Sequence, residues 1–176
     1  IQGHKEETLG IIHYERRVAP EPEKIPVEEL HDVLSEKIIS GLKKYGFTGL
    51  LPFQNESVYS ILEGKNTIIS APTGSGKTEA FSIPILEMIS KNHEVGVFAL
   101  FVYPLNALID DQVSKISDLV YKCGLHDKIA VYSIHGGQST EYKNMILEEA
   151  TKKAVIIATN FDFINYHLIL QDKKWN

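Results

Sequence analysis

Between Thr67 and Thr78 the chain reads T-I-I-S-A-P-T-G-S-G-K-T, and this stretch narrows the possible folds more than any other. Four residues with strand character, Thr67 to Ser70, run into a loop of Ala71, Pro72, Thr73, Gly74, Ser75 and Gly76, and Lys77-Thr78 opens an apolar helical segment. Gly74 and Gly76 let the backbone curl so that successive N–H groups point inward, and a helix N-terminus adds partial positive charge at the same spot. That combination predicts a phosphate-binding loop able to take a triphosphate. Lys77 is spaced to reach the β- and γ-phosphates, and the Thr78 hydroxyl to take one position on a magnesium ion. The pattern is A-x-x-x-x-G-K-T, with Ala71 where Gly is usual. A plain Gly-rich turn is the alternative, but it leaves the order strand, loop, Lys-Thr and helix unexplained.

The chain has 176 residues, 43% of them hydrophobic, enough for one domain with a core of its own and too few for two large lobes. Cys123 is the single cysteine, which excludes an internal disulfide framework, and no Cys/His spacing resembles a zinc site. A cytoplasmic protein is expected. The start, I-Q-G-H-K-E-E, has no apolar signal core, and the longest apolar run, Val95 to Tyr103, is too short to cross a bilayer. A net charge of −5 argues against coating nucleic acid by bulk attraction. Local contacts from backbone N–H groups and helix N-termini stay open.

Taken in order, residues 1–26 read as a leader with a short β-like piece at Leu9 to Tyr14, then a Pro-rich, charged strap, A-P-E-P-E-K-I-P. Residues 27–176 read as one α/β domain. Apolar residues at helical spacing from Val27 to Tyr45 predict an amphipathic helix stopped by Gly46. Phe47 to Pro52 is a turn, Phe53 to Leu62 a second helix, and Glu79 to Ser90 a third with Pro84 inside it. Val95 to Tyr103 reads as a parallel strand covered on both faces. Leu105 to Tyr121 is helical, Ile129 to Ile134 a strand, Glu141 to Ala150 a helix, Ala154 to Ala158 a strand, and Phe163 to Leu170 starts a further helix. The alternation predicts a parallel sheet flanked by helices, and ligands in such sheets sit beyond the carboxyl ends of the strands.

Those strand ends carry A-P-T-G-S-G-K-T (Ala71 to Thr78), Y-P-L-N-A-L-I-D-D-Q (Tyr103 to Gln112), His135-Gly136-Gly137 and A-T-N-F-D (Ala158 to Asp162). In this order they resemble motifs I, Ia, the Gly-Gly motif and Ib of the first RecA-like lobe of a superfamily 2 DEAD/DEAH-type helicase. L-L-P-F-Q, Leu50 to Gln54, is similar to the Q-motif region. The wording of motif Ia, the approach from Leu30 to Gln54 and the I-I-H-Y-E leader resemble the Lhr-like and mitomycin-repair group of bacterial and archaeal DNA helicases. The resemblance implies a P-loop NTPase fold that binds ATP and Mg2+ through Thr73, Gly74, Ser75, Gly76, Lys77 and Thr78. Gln54 would read the adenine edge, with Phe47 or Tyr45 available to stack on the base or simply to pack. Pro104, Asn106, Gly136, Gly137, Thr159 and Asn160 would touch a single-stranded or partly duplex nucleic acid, DNA favoured. For each of these the alternative is an ordinary helix cap or turn.

A motor of this kind also needs an Asp-Glu pair at a strand end, to hold magnesium through water and to position the attacking water. Asp110-Asp111 lies within a helical pattern and reads as a solvated face. The resemblance places the Asp-Glu strand shortly after motif Ib, so a lobe truncated before it, inactive in hydrolysis by itself, and a second RecA-like lobe elsewhere in the protein are expected. Two other functions stay open: a different P-loop phosphotransferase, for which Glu79 to Lys91 offers no basic lid, and a nucleotide-binding interaction module docking a partner through its acidic amino-terminal region.

Overall fold

A computed structural model describes residues 22–92 and 95–166; the expected leader strand at Leu9 to Tyr14 and the end of the last helix lie outside them. The described chain begins with a two-residue strand, β1 (Ile25–Pro26), and a 3-10 turn at Val27–Leu30. Then come α1 (Glu36–Tyr45), β2 (Gly49–Leu50), α2 (Pro52–Leu62), α3 (Lys77–Lys91) and β3 (Gly96–Tyr103). The last part contributes α4 (Asn106–Lys122), β4 (Ile129–Ile134), α5 (Thr140–Glu149), β5 (Ala154–Asn160) and the single turn α6 (Phe161–Phe163). β1 and β2 pair antiparallel, Ile25 opposite Leu50, so the expected Phe47 to Pro52 turn contains a short strand.

The main sheet is parallel with β5 in the centre, between β3 and β4. β5 is buried from Ala154 to Thr159, as its unbroken apolar run requires of a strand covered on both faces. Its alternate side chains enter two cores. Ala154, Ile156 and Ala158 meet Ile38 and Leu42 of α1, Ile83 and Leu86 of α3, and Ile109, Ile116 and Leu119 of α4. Val155 and Ile157 meet Ile134, Ile146 of α5 and Phe163.

Three sequence expectations are corrected. Val27 to Tyr45 is not one helix: Ser35 is extended, with φ −66° and ψ 152°, and separates the 3-10 turn from α1. Its N–H and hydroxyl both donate to the Glu87 carboxylate on α3, at 2.9 and 2.7 Å, and that tertiary tie outweighs helical continuity. Gly46 does end α1, in the left-handed region at φ 110°. Among the described residues β3 is covered on one face only, since Val97, Leu100 and Val102 are 40–47% exposed on the side where α5 packs over β4. Thr67 to Ser70 forms no strand. It pairs with no described strand, and Ile68 is 96% exposed; without a ladder partner an extended segment gains no hydrogen bonds for its ordering cost.

α1 and α4 cross at Gly41 and Cys123, where a Cβ on Gly41 would stand 2.5 Å from the Cys123 Cα. Backbone cannot swing aside, so Gly41→Ala should force the helices apart at a cost of about 2–3 kcal/mol, the upper end for overpacking. That exceeds the roughly 1 kcal/mol that alanine gains over glycine within a helix. A denaturant melt should show the loss; an unchanged or raised midpoint would contradict this packing. The same burial pushes the Cys123 thiol up to about 11, so it stays protonated.

Candidate functional site

α3 begins directly after Gly76, whose φ of 89° places it in the left-handed region, and Gly74 two residues earlier has φ 78°. Only glycine adopts that pair of conformations without strain, and together they curl Ala71 to Gly76 over the N-terminus of α3. The first N–H groups of a helix have no intrahelical acceptor, so they face into the curl. Lys77 Nζ donates to the carbonyls of Ala71 and Pro72, both at 2.6 Å. The Ser75 hydroxyl also donates to Pro72 O, at 2.7 Å. An ammonium held among loop carbonyls above a helix N-terminus makes an anion cradle. Thr73 and Gly74 are exposed and Ser75 half-buried.

A cavity of about 680 Å³ adjoins the loop, walled by Pro72, Gly74, Ser75 and Gly76 on one side and by Phe47, Leu51 and Phe53 on the other. Tyr45 and Phe47 stack with centroids 5.8 Å apart, and both line it. Gln54 reaches it with a carboxamide already engaged: Oε1 accepts from the Leu51 N–H at 2.8 Å, and Nε2 donates to Gly76 O at 2.9 Å. It closes the first turn of α2 and ties that helix to the Ala71–Gly76 loop, so an adenine contact would require it to release Gly76. Lys24 and Glu79 also line the cavity. Sequence reasoning missed both, because Lys24 sits in the Pro-rich strap and Glu79 in the first turn of a helix, where a carboxylate needs no further reason.

A second groove, of about 460 Å³, opens at the carboxyl ends of the main strands. Asn106, Gly136, Gly137 and Asn160, which come from three separate strand ends, all line it, joined by Asp162 and Tyr166. Asn160 Nδ2 donates to Asn106 Oδ1 at 2.6 Å, and Asn160 Oδ1 accepts from the Phe163 N–H, capping α6. Asn160 is thus a helix cap and a groove residue at once. Pro104 is exposed just before α4. Thr159 does not join the groove. It is fully buried, because strand alternation turns it into the sheet when its neighbour Asn160 faces out. Its hydroxyl and that of Tyr103 at the adjoining strand end have no hydrogen-bond partner among the described residues; burial pushes the Tyr103 phenol up to about 12. Asp110 and Asp111 lie on the exposed face of α4, Asp111 paired with Lys115 at 2.6 Å, so neither belongs to a strand end. No group of three or more His, Cys, Asp or Glu able to hold a metal occurs among the described residues, and no described helix is long and apolar enough to cross a membrane.

The DEAD/DEAH box helicase family model matches residues 51–176. The chain belongs to the DEAD/DEAH box helicase family. Among its relatives is the DEAD-box ATP-dependent RNA helicase RhpA of Helicobacter pylori, 32% identical over 126 residues, which are 72% of this chain and 24% of RhpA. The uncharacterized ATP-dependent helicase YprA of Bacillus subtilis is 26% identical over 155 residues, 88% of this chain and 20% of YprA. The DUF1998 helicase MrfA, solved bound to DNA and AMPPNP, superposes with a TM-score of 0.74 at 24% identity, over 88% of this chain and 20% of that one; at that identity the likeness shows the fold. The chain therefore spans about a fifth to a quarter of the length of the curated helicases it matches. The parallel sheet flanked by helices is the RecA-like helicase fold.

Proposed function

We propose that residues 27–176 are the ATP-binding motor lobe of an ATP-dependent helicase, working in the cytoplasm with a second RecA-like lobe supplied elsewhere in the full-length protein. One observation carries the reading. The anion cradle at the head of α3 and the groove of Asn106, Gly136, Gly137 and Asn160 are bridged by α4, which begins at Asn106 and bonds Thr78 through Gln112, as a lobe needs if it is to hold nucleotide and strand together. The residues fit ATP. The N-terminus of α3 and Lys77 suit the phosphates, the cavity lined by Phe47 and Phe53 suits a base, and the Thr78 hydroxyl is a hard oxygen ligand of the kind Mg2+ prefers. Bound there, Mg2+–ATP supplies the free energy of phosphoryl transfer. The chain's own residues orient it: Lys77 holds the phosphate oxygens and Gln54 keeps the loop against α2.

The nucleic-acid groove is read as a track for the phosphates of one strand, with DNA as the favoured strand. The DNA complex of MrfA supports that preference, while RhpA is an RNA helicase, so the test titrates both polymers. In a chain of net charge −5, attraction must come from backbone N–H groups and neutral amides rather than from a basic surface. Asn106→Asp puts a carboxylate at the first position of α4, where the helix dipole stabilises it, and sets it against phosphate. Fluorescence anisotropy with labelled single strands should show affinity falling about tenfold at low salt, a gap that narrows as salt rises. The melting temperature should not fall. Strand affinity equal to that of the unsubstituted protein at low salt would remove this groove from the strand path.

A further inference from the structure

Thr78 Oγ1 is not free: it donates to Gln112 Oε1 of α4 at 2.6 Å, across 34 residues of sequence. A hydroxyl has one proton and two lone pairs. To ligate a cation it must present a lone pair, and its proton must then point at an acceptor on the far side. Gln112 is that acceptor only if its carboxamide oxygen, not its nitrogen, faces Thr78. The surrounding contacts fix this orientation, because Gln112 Nε2 donates to Asp111 Oδ2 at 3.0 Å and Asp111 is itself held by Lys115 Nζ at 2.6 Å. A flipped carboxamide would set its oxygen against the Asp111 carboxylate, losing that bond, and its nitrogen would donate to Thr78 and occupy one of the lone pairs the cation needs.

We propose that Gln112 is a positioning residue for the nucleotide's divalent cation: its carboxamide oxygen takes the Thr78 proton and leaves the Thr78 lone pairs directed at the metal. The inference rests on the nucleotide-binding reading above. It gives the Lys115–Asp111–Gln112 chain on the face of α4 a purpose that a solvated surface lacks. It also places the metal ligand in contact with the helix whose first residue, Asn106, lines the strand groove. A neutral acceptor suits this position. It orders the hydroxyl without adding another negative charge beside a triphosphate.

The test uses the full-length protein and AMPPNP, titrated by calorimetry once with Mg2+ and once with EDTA; the readout is the ratio of the two dissociation constants. Outer-shell partners of metal ligands are worth about 10–100-fold in metal affinity. Gln112→Leu, which lacks the acceptor, should therefore cut the Mg2+-dependent gain about tenfold while the dissociation constant in EDTA stays within about twofold. Gln112→Glu, which keeps an acceptor, should retain the ratio, its added charge weakening AMPPNP binding in both titrations. The proposal is overturned if Gln112→Leu leaves the ratio unchanged, if it weakens binding equally with and without Mg2+, or if Gln112→Glu loses the ratio as Leu does. A ratio near one in the unsubstituted protein overturns it as well. If the unsubstituted protein binds no AMPPNP under either condition, the nucleotide reading fails and this inference with it.

Discussion

Lys77→Ala is expected to raise the dissociation constant for a fluorescent ATP analogue about a hundredfold, while leaving the fold almost untouched. The reason lies in what the ammonium does with and without ligand. Nζ donates to Ala71 O and Pro72 O at 2.6 Å, so it is already held over the N-terminus of α3, and phosphate oxygens can take it over without a new ordering cost. Hydrogen bonds to charged groups contribute roughly 1.5–3 kcal/mol each, and two such bonds to phosphate exceed the roughly 3 kcal/mol that a hundredfold change represents. Pro72 O is exposed and keeps the Ser75 hydroxyl, so water replaces the lost donor and the melting temperature should move little. Lys77→Arg keeps the charge but sets a larger planar fork into a cradle shaped for a point charge, and should fall between the two. A Lys77→Ala dissociation constant within about threefold of the unsubstituted protein would rule out the loop as the nucleotide site.

The curl of Ala71 to Gly76 was legible because its geometry is local: Gly74 and Gly76 are needed for conformations that only those two residues decide. β5 was legible for a similar reason, since a run of A-V-I-I-A can satisfy itself only inside a doubly covered sheet. The convergence of Asn106, Gly136, Gly137 and Asn160 followed from topology, because parallel strands put all their carboxyl ends on one edge. Where the sequence misled, a partner distant in sequence decided the outcome. Thr67 to Ser70 has strand-forming residues, but a strand exists only with a ladder partner, which no local pattern reports. The helical spacing from Val27 to Tyr45 runs straight through Ser35, because a 3-10 turn and one extended residue keep the apolar side chains in phase. β3 looked doubly buried because periodicity counts apolar residues and says nothing of what covers Val97, Leu100 and Val102. Gln54 could be placed beside the loop, but its two hydrogen bonds to Leu51 and Gly76 could not.

Loss of Glu87 should cost the fold heavily, and its signal in the sequence was only a carboxylate among the apolar residues of α3. Its side chain is fully buried. One oxygen accepts both the N–H and the hydroxyl of Ser35, and the other lies 2.8 Å from Lys91 Nζ. Ser35 is the N-cap of α1 yet makes no cap bond to its own helix. Glu87 therefore takes over the capping, with a full negative charge at the positive end of α1. Glu87→Ala strands two donors in a part-buried setting and removes that charge, at a cost of about 3 kcal/mol. For a domain of this size that lowers the melting temperature by about 6–12 °C. Glu87→Gln keeps one acceptor and the shape but not the charge, and should lose roughly half as much. Lys91→Ala removes only the partly exposed ion pair and should cost no more than about 1 kcal/mol. That ranking, Ala below Gln below the Lys91 variant, separates a tertiary cap from a simple salt bridge. Equal losses from Glu87→Ala and Lys91→Ala would show that the ion pair, not the Ser35 tie, holds α1 against α3.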